Sequence, residues 1–178
     1  MRFYEALDLE PKLALDPDEL KRRFYERSRQ WHPDRFTRGS PEEQEKALEM
    51  TAVLNDAFRT LRDPIARAQY FFKGKGIEIP KEAPPDVLKE FFELNMELEE
   101  LRGGDESLRP LVAATYERIV EMREQSDTAL AGMFELYDRN EDMRATLIGP
   151  AGDLLNVRRY ISNYLRAAGK ELNVPLPN

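Results

Sequence analysis

Prolines preceded by capping side chains cut this chain into segments, and each segment between them has a helical apolar rhythm. Asp16-Pro17-Asp18-Glu19 has the grammar of a helix start: an acidic cap, a proline where no N–H is needed, and a glutamate placed to reach back. Ser40-Pro41-Glu42-Glu43 repeats it. His32-Pro33 and Asp63-Pro64 are stops, because proline pushes the residue before it out of the helical region. The helix begun at Pro17 carries Leu20, Phe24 and Trp31 on one side and is predicted to end at His32, with a loop from Pro33 to Gly39. The next helix carries Ala47, Leu48, Met50, Leu54, Ala57, Phe58 and Leu61. Short helices are predicted at Phe3–Leu7 and Ile65–Lys73, the latter bringing Tyr70, Phe71 and Phe72 to a core. No strand-like alternation is visible, so the expected class is all-α.

Residues 74–85, GKGIEIPKEAPP, hold two glycines and three prolines, which punctuate helices. The expected division is a first domain over 1–74, a linker over 75–85 and a helical bundle over 86–178. Three amphipathic patterns follow the linker. They run from Asp86 to Arg102, from Glu106 to Asp138 (Leu108, Leu111, Val112, Ile119, Met122, Leu130, Met133, Tyr137), and, after a break at Ile148-Gly149-Pro150, from Gly152 to Leu172 (Leu154, Val157, Ile161, Leu165, Ala168). Three such stripes bury themselves most simply against one another, as a three-helix bundle.

Composition narrows the chemistry. The 178 residues contain no cysteine and one histidine, His32, which excludes disulfides, thiol catalysis and thiolate-held metal and leaves no ligand set for a transition metal. No cofactor is expected. There is no Gly-rich phosphate loop and no carboxylate–histidine pair, so no enzyme is expected either. No apolar run approaches the ~20 residues of a membrane span, and no secretory or transit segment opens the chain, so the expected setting is cytoplasmic, with no membrane and no nucleic-acid partner. The net charge of -7 is uneven: residues 1–80 hold 15 basic and 15 acidic side chains, and the excess acid lies beyond them. Within the neutral half, residues 20–38 hold seven basic and two acidic side chains, a local field suited to an acidic partner surface.

The tripeptide His32-Pro33-Asp34 alone is a helix stop followed by a turn. Its setting is more specific: a short helix with Phe3, Tyr4 and Leu7, the basic helix, RSRQWHPDRF, then LNDAFRTLRDPIARAQYFF. Over residues 1–73 this order resembles the J domain, a helical hairpin with short flanking helices that activates 70-kDa heat-shock chaperones of the DnaK type. The resemblance implies that the basic helix docks on an acidic groove of the chaperone and that Asp34, held by Pro33, pairs with a chaperone arginine and stimulates ATP hydrolysis there. The candidate chaperone-binding residues are Lys21, Arg22, Tyr25, Arg29, His32, Pro33, Asp34 and Arg35. Arg23 and Arg27 fall nearer the core side. Tyr25 and Glu26 stand where many J domains carry basic residues.

A J domain followed by a short acidic bundle, without a Gly/Phe-rich linker or zinc-binding cysteines, is similar to the HscB-type co-chaperones of iron–sulfur cluster assembly. The likeness implies that the bundle binds an IscU-type cluster scaffold and delivers it to an HscA-type chaperone. On helix 86–102, Val87, Phe91, Leu94, Leu98 and Leu101 form the core stripe. Leu88, Phe92 and Met96 form a second apolar stripe bordered by Glu93, Glu99 and Glu100, which a bundle helix does not need. The resemblance assigns scaffold binding to Leu88, Lys89, Phe92, Glu93, Met96, Glu100 and, on the last helix, Tyr160, with Lys89 standing where the family has an apolar residue and Met96 where it has an acidic one. The bland alternative packs Phe92 and Met96 against the J domain or a neighbouring helix. A general J protein presenting unfolded clients and a helical adaptor without a chaperone contact are the competing functions. Eukaryotic relatives often carry a cysteine tetrad, and its absence favours a bacterial protein.

Overall fold

The computed structural model describes residues 1–176. Among them are seven α-helices and no strand: α1 (Arg2–Ala6), α2 (Pro17–Gln30), α3 (Pro41–Arg62), α4 (Pro64–Gly74), α5 (Pro85–Arg102), α6 (Arg109–Arg139) and α7 (Arg144–Leu172). They fall into two compact units that divide between Glu78 and Ile79.

In the first unit the caps set the helix ends. Asp16 accepts the Asp18 N–H at 2.9 Å. The reciprocal half of that cap is absent, because the Glu19 carboxylate turns forward to Arg22 at 2.6 Å and Arg23 at 2.9 Å, and charged donors one turn along outcompete a neutral N–H. Ser40 and Glu43 close a full capping box. Asp63 ends α3 and caps α4, accepting the N–H groups of Ile65 and Ala66; such caps contribute about 1 kcal/mol each. The basic helix stops at Gln30 with Trp31 as its cap, just short of His32, and Pro33–Phe36 winds into a 3-10 turn rather than an open loop.

Helix α3 is the surface on which α1, α2 and α4 pack. Tyr4, Leu7, Leu13, Leu20, Leu54, Leu61, Phe71 and Phe72 are buried there. Helix α2 is seated by the Phe24 ring stacked on Phe58, centroids 4.3 Å apart, and by the Thr51 hydroxyl donating to the Trp31 carbonyl at 3.1 Å. The buried Arg67 guanidinium donates to the Leu13 and Leu61 carbonyls, both at 2.7 Å, and so satisfies a carbonyl that the end of α3 leaves open. Two expected core positions differ. Leu48 is 60% exposed and Leu111 47% exposed, because Ala47 and Val112 beside them take the core-facing side and the next residue lies about 100° around the helix.

The second unit packs α5, α6 and α7 around Phe91, Leu94, Leu98, Leu101, Val112, Tyr116, Ile119, Ile161, Tyr164, Leu165 and Ala168. Buried Arg158 forks onto both oxygens of Asp127 across α6 and α7. The expected break before the last helix is absent: α7 runs unbroken through Pro150. Gly149 lacks the Cβ that would collide with the proline ring, and the freed Thr146 carbonyl lies on an exposed stretch of the helix. Residues 79–84 lie against α7, where the Asn156 amide donates to the Pro80 carbonyl at 2.6 Å and the Glu82 carbonyl at 3.1 Å.

Gly152 sits where this segment passes, and a Cβ there would lie 2.4 Å from Pro80 Cδ, whereas a Cβ on Gly132 would meet nothing within 4 Å. Gly152→Ala is expected to destabilise the protein by about 1–3 kcal/mol. Gly132→Ala, in an open helix interior, is expected to stabilise it by roughly 0.5–1 kcal/mol, both read from urea denaturation. The Tyr164 hydroxyl is buried without a hydrogen bond, and burial, reinforced by Glu97, pushes its pKa up to about 12 from 10.0. A raised acid pKa means the neutral phenol is favoured in the fold, so its contribution is whole below pH 10 and is lost between pH 10 and 12. Urea midpoints across that window are expected to fall less for Tyr164→Phe than for the parent protein.

Candidate interaction sites on the bend and on the fifth helix

The bend after α2 is built from rings and backbone. Trp31 stacks on Phe36, centroids 5.9 Å apart, and the Lys46 ammonium lies 5.7 Å from the Trp31 ring. Both rings are half-buried, so the turn between them is anchored at each end. His32 is extended and its Nδ1 accepts the Asp34 N–H at 3.3 Å, which requires the imidazole proton on Nε2. Thr37 donates its hydroxyl to the Asp34 carbonyl. The Asp34 carboxylate itself points outward, 86% exposed, with His32 Nδ1 3.6 Å away. Its backbone is fixed and its charge is free, which is the arrangement a partner's guanidinium requires. Arg35 turns back instead, and its guanidinium donates to the Arg29 carbonyl at the end of α2.

The cations of α2 divide into committed and uncommitted ones. Arg23 reaches Asp8 at 2.6 Å and Arg27 donates to the Ala6 carbonyl at 2.9 Å, so both tie α2 to the chain around α1. Arg22 is held between Glu19 and Glu26, whose hydrogen bonds raise its pKa, and Glu19 is correspondingly lowered by Arg22 and Arg23. Lys21 and Arg29 are exposed and make no ion pair among the described residues, and Tyr25 is 54% exposed beside them. Sequence reasoning did not anticipate that Arg22 would be neutralised locally, although Glu19 and Glu26 at spacings of three and four carry that signal.

On α5 the two apolar stripes part. Phe91, Leu94, Leu98 and Leu101 are buried and Val87 packs partly against them. Phe92 is 66% exposed, Met96 50% exposed, and Leu88 half-buried. Lys89 stands 3.8 Å from Glu93, one turn along the same face, and Glu100 is exposed beyond Met96. Tyr160 on α7 is half-buried against the core, its ring 5.9 Å from Phe91 and covered by the Arg159 guanidinium at 5.5 Å. No group of three His, Cys, Asp or Glu side chains is placed to hold a metal ion among the described residues, and none of their helices is long and apolar enough to cross a membrane.

Residues 2–70 match the family model described as the DnaJ domain. Over 117 residues the chain is 35% identical to a co-chaperone protein HscB homolog of Vibrio vulnificus, covering 64% of this chain and 68% of that one. Over 173 residues it is 30% identical to the HscB homolog of Neisseria meningitidis, covering 92% of this chain and 99% of its relative. The chain belongs to the HscB family of co-chaperones. The fold agrees with this family from end to end: HscB from Vibrio cholerae superposes with a TM-score of 0.73 at 25% identity over 96% of both chains. Human co-chaperone HscB superposes with a TM-score of 0.71 at 25% identity, over 96% of this chain and 81% of that one. As an HscB family member the protein is an all-α co-chaperone with an amino-terminal J domain.

Proposed function

We propose that the protein takes an IscU-type iron–sulfur cluster scaffold on the outer face of α5 and presents it to a DnaK- or HscA-type 70-kDa chaperone, whose ATPase it stimulates through His32-Pro33-Asp34. The observation that carries this reading is the pairing of two accessible sites in one chain. One unit offers the exposed Asp34 carboxylate on a fixed turn, and the other offers an apolar stripe that its own core does not use. Lys21 and Arg29 supply the uncommitted charge that steers an acidic chaperone surface, a contribution to encounter rate that salt screens. Arg22 contributes less than its position suggests, because Glu19 and Glu26 already hold it. Arg35 acts by supporting the bend from the end of α2.

On the client face, Phe92 is the central anchor, Leu88 and Met96 extend it along the helix, and Glu93 and Glu100 meet basic groups of the scaffold. Lys89 offsets Glu93 and sets how much positive charge the client can bring. Tyr160, half-buried on α7, contributes less than the exposed residues of α5. The iron–sulfur cluster is cargo of the scaffold. A bacterial cytoplasmic setting belongs to the same reading, supported by the bacterial relatives.

Asp34→Asn changes an exposed side chain, so it is expected to leave thermal stability unchanged and to abolish stimulation in a single-turnover chaperone ATPase assay. Phe92→Ala is expected to weaken scaffold binding by about 1–3 kcal/mol in calorimetry, with an unchanged helical circular-dichroism signal. A melted bundle with normal affinity in the folded fraction would instead make Phe92 a core residue. Parallel capture of a cluster scaffold and of a denatured generic client separates the proposed role from general chaperoning, since the proposed role retains the scaffold alone.

A further inference from the structure

The chain has no cysteine, so its six methionines hold all of its sulfur. Five of them are shielded. The Met1 side chain is 9% exposed, Met122 packs against the core of the second unit, and Met50, Met133 and Met143 are half-buried. Met96 is the exposed one. Exposed hydrophobics taken singly are ordinary. Met96 is not single, because Phe92 stands one turn before it on the outer stripe of α5 and is exposed as well. On a helix the neighbours of position 96 lie three and four residues away, here Phe92, Glu93, Glu99 and Glu100, and all four are exposed. Glu93 pairs with Lys89 and Glu99 with Arg102, so both ion pairs run away from position 96, one towards each end of the helix. The thioether is left open to solvent.

An open thioether has a defined reaction with hydrogen peroxide. The sulfur lone pair attacks one peroxide oxygen, and the S–O bond forms as the O–O bond breaks. The leaving hydroxide takes the proton of the transferred oxygen and departs as water. Sulfur loses two electrons and the peroxide gains them. Water stabilises the departing hydroxide, so an exposed sulfur reacts ahead of shielded ones. The sulfoxide is polar and chiral where the thioether was apolar. Taking its S–O dipole out of water without a donor to meet it costs free energy.

We propose that Met96 is an oxidation site that controls the client face: hydrogen peroxide converts its thioether to the sulfoxide, and the scaffold is then held weakly. The inference rests on the reading of α5 as the scaffold-binding face. A flexible thioether beside Phe92 adapts to an apolar partner, and the sulfoxide in its place has to be desolvated for the same contact. The cost falls on the interface alone. The core stripe of α5, Phe91, Leu94, Leu98 and Leu101, contains no sulfur, so the bundle keeps its packing. A thiol-dependent sulfoxide reductase takes the oxygen off again, giving water and a disulfide of its own thiols, which makes the change reversible.

The test treats the full-length protein with hydrogen peroxide, removes the peroxide with catalase, weighs the tryptic peptides and measures affinity for an IscU-type scaffold by calorimetry. The peptide holding Met96 is expected to gain one oxygen about tenfold faster than those holding Met122 and Met133. Affinity is expected to fall about five- to twentyfold at unchanged circular dichroism, and to return after treatment with a methionine sulfoxide reductase and dithiothreitol. Met96→Leu, compared with itself before and after peroxide, is expected to keep whatever affinity it starts with. Oxidation of Met96 no faster than of the shielded methionines, parental affinity of the oxidised protein, or an equal loss on oxidation in Met96→Leu overturns the proposal. Phe92→Ala, untreated, separates the two levels. If it binds the scaffold as the parent does, the client-face reading falls and this inference with it; if it binds weakly while oxidation leaves the parent's affinity intact, only the oxidation site falls.

Discussion

The seam between α2 and α3 governs the first unit. Two half-buried rings, Phe24 and Phe58, stack across it, and the carbonyl that ends α2 at Trp31 is taken by a hydroxyl of α3. An unpinned helix end frays, and a fraying end would carry the His-Pro-Asp turn through many orientations. Pinning it transfers the rigidity of a 22-residue helix to a turn of four. The exposed carboxylate therefore meets a partner with little ordering entropy left to lose, the general advantage of a preorganised contact.

The arginines of α2 show how a basic helix serves two ends. Those facing α1 are spent on Asp8 and a backbone carbonyl, and one facing outward is spent on its own glutamates. What remains for a visitor is a small charge at defined places. Such a surface favours rapid, reversible, salt-sensitive encounters over tight holding.

Much of the architecture was legible because local rules agreed. Caps, prolines and periodicity placed the helices apart from the start of the last one, and the apolar positions they gave for α3 include its buried Ala47, Leu54, Ala57 and Leu61. What escaped were choices between neighbours. Ala47 and Leu48 are both apolar, and only packing reveals that the smaller one faces in. Pro150 reads as a stop by any local rule, yet a glycine before it and solvent beside it let tertiary packing carry the helix through. The buried arginines 67 and 158 were hidden for a related reason, since the Leu13 carbonyl and Asp127 that they reach lie 54 and 31 residues away and no short spacing announces those contacts. At the sites, the outward stripe of α5 was visible as a surplus apolar face, but the half-burial of Tyr160 and the backward turn of Arg35 depend on neighbours in space.

The grip of Asn156 on the carbonyls of Pro80 and Glu82 bears on the order in which the second unit assembles. It closes loops of 76 and 74 residues, whereas α6 and α7 meet across a turn of only Asn140–Met143. Short loops close at little entropic cost and long ones at more, so the α6–α7 hairpin is the natural nucleus and the strap latches late. Amide exchange at residues 79–84 would then report on the last step of folding rather than on the stability of the helices beneath.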